Sequence, residues 1–300
     1  MQNRDMSTTS GGRTCFYHAD CPDGFGAAWA VWRAWGETGA YCAQHHDRPL
    51  DGDLAGQLVV FVDMAPDLPV LSAVCQKARQ VVILDHHFSS REAYAAEAEL
   101  VSSLERRGHV IRFDLERSGA MLAWQHFHPS RPAPPVLLYV EDRDLWTQKL
   151  PNSEEINAAI NSYPRRFADW DVMAAFPIER LTGEGAPLLR AKRVEVERSL
   201  SFAHPVELGG RRVEAVNERQ NRSTIGHELA QRAAYGHPIG LVYRVTGERV
   251  DISLYSVGDL DVSALATEYG GGGHRNAAGF SVGLRDWLSK FAPKQPRGGG

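Results

Sequence analysis

The first half of the chain alternates short apolar runs with helix-forming stretches, and that alternation narrows the fold more than any other feature. Thr14-Cys15-Phe16-Tyr17, Leu58 to Val62, Val81-Val82-Ile83-Leu84 and Val110-Ile111-Arg112-Phe113 read as strands. Residues 23–36, 67–79 and 118–127 read as helices among them. Continuous runs rich in β-branched residues suit strands buried on both faces, and strands separated by helices pair in parallel. A mixed-charge helix over about 185–202 follows, and then Arg211 to Val216, Ile239 to Val245 and Val250 to Tyr255 read as strands interleaved with helices near 224–234 and 261–269. The expected fold is α/β in two lobes. A mostly parallel-sheet domain spans 13–184, a linker helix 185–203 and a smaller α/β domain 204–292, with polar, glycine-rich tails at 1–12 and 293–300 that read as disordered.

Composition bounds the function. The 300 residues suffice for two buried cores, and 43% hydrophobic with 23% charged residues is ordinary for a globular protein. A net charge of -4 argues against a protein that coats long nucleic acid through excess positive charge. Cys15, Cys21, Cys42 and Cys75 form no C-x-x-C pair and suit reduced thiols in a cytoplasmic protein. No apolar run approaches the roughly 18 residues of a membrane span.

Metal-competent side chains follow these runs at four places. Asp85-His86-His87 ends the run Val81 to Leu84, and Asp63 ends Leu58 to Val62. His18-Ala19-Asp20-Cys21-Pro22-Asp23-Gly24 lies between the first strand and its helix, and Glu141-Asp142-Arg143-Asp144 follows Val136 to Val140, taken as a further strand. Any one Asp after a strand is often only a helix N-cap. A parallel sheet, however, brings all such ends to one edge, where open α/β sheets bind ligands. Buried carboxylates gathered there repel one another unless cations neutralise them. Oxygen ligands with imidazole suit Mn²⁺ or Mg²⁺, and with no cysteine in the expected set a structural zinc site is disfavoured. More carboxylates than one ion needs suggest two ions, which together can activate water and stabilise the leaving oxygen of a phosphoryl displacement.

Asp85-His86-His87, with Asp63 upstream and the H-x-D-x-x-D-G segment at His18, resembles the DHH phosphoesterases. Gly270-Gly271-Gly272-Gly273-His274-Arg275-Asn276-Ala277-Ala278-Gly279-Phe280 resembles the signature of the DHH-associated domain. The resemblance implies two Mn²⁺ ions on the first lobe, a substrate-gripping second lobe and an active site in the cleft between them. Relatives of this kind include RecJ-like exonucleases, oligoribonucleases, dinucleotide phosphodiesterases and polyphosphate or pyrophosphate hydrolases. Asp63 would bridge the ions, His86 would bind one, His87 would contact the scissile phosphate and Asp85 would orient the site. Asp142, or Asp144 beside it, would complete the second ion's shell, while Asp20, Asp23 and His18 would serve the first segment's role.

The chain departs from the family pattern twice. An extra residue separates Asp20 from Asp23, and Ser253-Leu254-Tyr255-Ser256 stands where many relatives carry Ser-Leu-Arg-Ser. Tyr255 would there stack on a base or pack. In physical terms, Gly271, Gly272 and Gly273 could offer backbone N–H groups to an anion, with His274 and Arg275 adding donors. His45-His46-Asp47 reads as a surface loop, because no firm apolar strand surrounds it. Trp29, Trp32 and Trp35 read as core residues, and Arg219 and Arg222 are the basic residues of the 188–222 stretch singled out to face the cleft.

The expected activity is Mn²⁺-dependent hydrolysis of short oligonucleotides or dinucleotides, with Mg²⁺ as the other usable ion and other small phosphate esters as further substrates. The alternatives are a polyphosphate, pyrophosphate or nucleotide phosphomonoester hydrolase and, more remotely, a non-catalytic nucleotide sensor. No membrane partner is expected, and a homodimer is compatible with the sequence.

Overall fold

The computed structural model describes residues 12–45 and 48–291, without the side chain of His274. The chain divides into two compact units, at Leu189 and Arg190. The first contains β1 (Arg13–His18), α1 (Pro22–Trp35), β2 (Ala40–Gln44), β3 (Leu58–Val62), α2 (Leu68–Lys77), β4 (Gln80–Asp85), α3 (Phe88–Ala96), α4 (Ala98–Arg106) and β5 (Val110–Phe113). It continues through α5 (Gly119–Phe127), α6 (Pro135–Asp144), α7 (Ser153–Ser162) and α8 (Phe167–Ala174) into α9 (Ile178–Leu200), within which the division falls. The second contains β6 (His204–Leu208), β7 (Arg211–Asn217), α10 (Arg222–Arg232), β8 (Ile239–Thr246), β9 (Arg249–Ser256), α11 (Val262–Glu268), β10 (Gly272–His274), β11 (Ala277–Gly283) and α12 (Leu284–Lys290).

In the first unit five strands pair in parallel in the order β2-β1-β3-β4-β5. Alternate residues of each strand enter opposite cores, which explains the unbroken apolar runs. Cys15, Val60, Val62, Val82 and Leu84 pack with Trp29, Trp170 and Leu137 on one face. Phe16, Val59, Phe61, Val81 and Ile83 pack with Leu71, Tyr94 and Leu104 on the other. Each such side chain contributes roughly 1.5–3 kcal/mol by leaving water. Of the tryptophan trio, Trp29 and Trp35 are buried in the core and Trp32 packs against it.

Two local expectations change. Val136 to Val140 is no strand but lies in the first half of α6. Pro135 starts that helix at a position where its missing N–H costs nothing, and Val136, Leu137, Tyr139 and Val140 are buried while Leu138 is exposed. The segment before His45 is a strand after all: β2 pairs in parallel with β1, from Thr14 with Ala40 to His18 with Gln44. Its residues are only partly buried, as an edge strand's are, so the apolar signal was weak. His46 and Asp47 lie outside the described residues.

The second unit has six strands in the order β10-β11-β9-β8-β7-β6, antiparallel except for β7 with β8. That parallel pair needs a crossover, and α10 provides it. Ile225 and Leu229 of α10 pack on Val216 and Val242. Val262 and Leu265 of α11, with Trp287 of α12, belong to the unit's main core with Leu241, Ile252 and Leu254.

Candidate metal centre

The strand order places a topological switch point between β1 and β3, because the chain leaves β1 for β2 on one side and returns to β3 on the other. Ligand crevices of open α/β sheets form at such points, beyond the strands' carboxyl ends. His18 ends β1, Asp63 follows β3, and Asp85 ends β4 with His86 and His87 directly after it.

Asp63 is the hub. It is 1% exposed and holds φ at 56°, a left-handed conformation that an Asp tolerates better than most residues. Its Oδ1 lies 3.0 Å from His86 Nε2, and its Oδ2 takes only a 3.4 Å approach from His18 Nδ1, with no well-formed hydrogen bond. The chain makes room for it at Gly119, where an added Cβ would stand 2.4 Å from Asp63 Cβ. Asp23, in the first turn of α1, crosses to the same place. Its carboxylate accepts the N–H groups of Gly119 at 2.6 Å and Ala120 at 3.1 Å, satisfying the start of α5, while Oδ2 stands 3.8 Å from His86 Nε2. Asp144 approaches the same nitrogen at 3.4 Å.

Asp85 has a different task. Its buried Oδ1 accepts from the backbone N–H of His86 at 2.8 Å and lies 2.7 Å from His87 Nδ1. It therefore fixes the ring of His87, which sets the tautomer of the other nitrogen. Three sets of ligand atoms lie within 4.8 Å of one another: His18 with Cys21 and Asp63, Asp63 with His86 and His87, and Asp23 with His86 and Asp144.

The electrostatics are those of an acid cluster held by imidazoles. Burial, then the charges of Asp63 and Asp144, pushes Asp23 well above the usual carboxylate range. Asp144 rises to about 6, through burial and then through Asp63. Burial would raise Asp63 as well, but His18 and His86 outweigh it and hold that carboxyl low. Burial acts to lower His86, yet its contact with Asp63 and the charges of Asp63, Asp23 and Asp144 lift it to about 9. His87 is likewise raised, by Asp85 against the effect of burial. Burial pushes the Cys21 thiol up, and Asp63 and Asp23 push it further. Buried carboxylates with an oxygen left over fit a divalent cation, which would neutralise them.

Not every predicted ligand arrives. Asp20 is exposed, with φ at 57°, and faces His45 at 3.8 Å and Arg165 at 4.0 Å instead of the cluster. Asp142 is turned away as well. Its Oδ1 accepts from Thr147 Oγ1 at 2.6 Å and from the Lys149 N–H at 2.8 Å, anchoring the chain beyond α6. Two residues on along that helix is a different face, and Asp144 is the acid that reaches His86. Cys21 is the member that sequence reasoning passed over; its place one residue before the helix-starting Pro22 was the available signal.

In the second unit the glycine run ends α11 and enters a hairpin. Gly270 N–H donates to Thr267 and Gly271 N–H to Ala266, capping the helix. Gly272 to His274 then pair with Gly279 to Ala277. The N–H of Gly271 is therefore committed to α11, contrary to the anion-binding expectation. Arg275 is exposed and donates to the Asp259 carbonyl at 2.7 Å, and the side chain of His274 lies outside the described residues. Tyr255 is half-buried with its ring 5.4 Å from His227, and Arg222 donates to Ser253 Oγ.

No family model matches the chain. The uncharacterized protein R106 of Acanthamoeba polyphaga mimivirus is 25% identical over an aligned 296 residues, covering 88% of this chain and 66% of that protein, just under two thirds of its length. Among solved structures, the chain is similar to the pGpG-specific phosphodiesterase PggH from Vibrio cholerae, at TM-score 0.47 and 11% identity over 93% of this chain and 94% of that one. An exopolyphosphatase-related protein from Bacteroides fragilis has TM-score 0.47 and 11% identity over 90% and 86%. RecJ from Thermus thermophilus, in complex with Mn²⁺, has TM-score 0.46 and 13% identity over 92% and 50%.

Proposed function

We propose that the chain is a metal-dependent phosphodiesterase that holds two divalent ions, Mn²⁺ by preference, and hydrolyses short oligonucleotides or dinucleotides. One observation carries this reading. Two ligand trios with no residue in common, His18/Cys21/Asp63 and Asp23/His86/Asp144, are joined by the 3.0 Å contact between Asp63 and His86. A pair of ions in such places, when bound, supplies water activation and charge neutralisation for in-line displacement at phosphorus.

The chain's own residues do the rest. Asp63, which belongs to two of the three ligand groups, ties the two positions together. His87, held by Asp85 and biased toward its charged form, donates to a phosphate oxygen. Asp23 does double duty, since its two bonds to the start of α5 fix its carboxylate before any ion arrives. We assign substrate contact in the second unit to the 272–275 hairpin, where Gly272 faces open space and Arg275 is exposed. Among the described residues no helix is long and apolar enough to cross a membrane.

The test is a substrate panel for the purified protein with Mn²⁺: short RNA and DNA, linear and cyclic dinucleotides, polyphosphate, pyrophosphate and a bisphosphorylated nucleotide. Mononucleotide release from the short chains is the expected result. Phosphate release from polyphosphate or pyrophosphate alone would replace the diesterase reading, and no turnover on any member would end it.

A further inference from the structure

Cys21 stands at the N-cap of α1, in extended conformation (φ -110°, ψ 136°), and its sulfur has only the Gly24 N–H of the first turn near it, without a regular side-chain cap bond. The thiol lies instead with a ring nitrogen of His18 and a carboxylate oxygen of Asp63, all within 4.8 Å of one another. The backbone on both sides is constrained, since Pro22 begins the helix and the φ of Asp20 is 57°. Asp63 supplies a second, independent sign. It is 1% exposed, and its Oδ2 has only the 3.4 Å approach of His18 Nδ1 beside it. Such an atom costs free energy unless something positive sits beside it.

We propose that Cys21 is a sulfur ligand of the ion held by His18 and Asp63, so that the two metal positions differ in kind. This rests on the metal-centre reading above. One position offers nitrogen, sulfur and oxygen; the other, Asp23/His86/Asp144, offers nitrogen and oxygen alone. Binding releases the thiol proton to solvent, because a coordinating thiol is deprotonated outright. A soft ligand shifts preference toward Zn²⁺ and Co²⁺ and away from Mg²⁺, which takes oxygen almost exclusively. The first position therefore discriminates against Mg²⁺ more strongly than the second. Cys15, Cys42 and Cys75 belong to no such group among the described residues, which makes them internal controls.

Cobalt reads this directly. The protein dialysed against Co²⁺ is expected to show near-ultraviolet sulfur-to-cobalt charge transfer, which Cys21→Ser abolishes and Cys42→Ser retains. In the unsubstituted protein, Co²⁺ is expected to slow alkylation of Cys21 on the order of tenfold, read by peptide mass, and to leave Cys42 unchanged. This second measurement needs no variant to fold. Bound cobalt without the absorption band, a band that survives Cys21→Ser, or unprotected Cys21 would each overturn the sulfur ligand and leave the metal centre standing. No cobalt bound at all would overturn both.

Discussion

Asp144 and Asp251 are both partly shielded acids near strand or helix ends, and they live in opposite surroundings. Asp251, on β9 of the second unit, is met by Ser281, Arg249 at 2.7 Å and Arg244 at 3.0 Å, and these donors pull its carboxyl down to about 2. Asp144, in the first unit, lies 3.4 Å from His86 among other acids, and burial and then Asp63 push it up to about 6 against the pull of the nearby histidines. One region satisfies its carboxylates with its own residues; the other gathers Asp23, Asp63 and Asp144 and leaves them short of positive charge. The difference separates an acid neutralised by its own fold from acids that a cation would neutralise.

The sharpest way to break this contrast is Asp63→Ala. It removes a member of two ligand groups, and we expect Mn²⁺ affinity to fall roughly 10- to 100-fold or more, with loss of any phosphoesterase activity. Equilibrium dialysis with a turnover assay checks it, and unchanged values for both would return Asp63 to an ordinary structural acid. Next is Gly119→Ala. The new Cβ would be driven into Asp63, which costs about 1–3 kcal/mol in denaturant unfolding and weakens metal binding through displacement alone.

A pH series follows in size. The ordinary histidine value is near 6.5 and the folded value of His86 is about 9, so its stabilising effect is complete below about 6.5 and is lost as pH rises through about 9. Asp144 acts with the same sign lower down: its raised value makes stability fall as pH rises through about 6. In chelator, the melting temperature should therefore decline from about pH 4 to about pH 6 through Asp144, and on to about pH 9 through His86. With Mn²⁺ at about 100 times its Kd the protein should gain about 2.7 kcal/mol, and the decline should flatten because the ion favours unprotonated ligands. A melting temperature equally insensitive to pH in chelator and in Mn²⁺ would contradict the cluster's electrostatics. The smallest effect is expected from Asp251→Ala, whose ion pairs sit near the surface. It should cost no more than about 1 kcal/mol and leave Mn²⁺ binding untouched, which calorimetric titration would show.

The parallel core was legible in the chain because its strands are buried on both faces. Leu58 to Val62 matches β3 residue for residue, and Val110 to Phe113 matches the partly buried edge strand β5. The edge strand β2 and the small-residue strand β11 were not legible: β2 is half-exposed, and β11 opens on Ala277-Ala278-Gly279, too small to carry a hydrophobic pattern. In the site, residues that directly end strands were predictable, because a strand's end fixes its position. Asp142 and Asp144 were not separable, since Val136 to Val140 fits a buried strand or a buried helix until Pro135 is recognised as a helix start.

The sequence by itself determined that a carboxylate and two histidines would stand at the end of a buried strand, with Asp63 on a neighbouring one, because both apolar runs stop where the charges begin. Only the tertiary structure decided which other acids join them. Asp23 arrives by reaching across to the N-terminus of α5, Asp144 by the face of α6 on which it lies, and Cys21 by its N-cap position at the start of α1. The same packing turns Asp20 and Asp142 elsewhere. Ligand sets depend on side-chain direction, and direction is set by neighbouring elements far away in the chain.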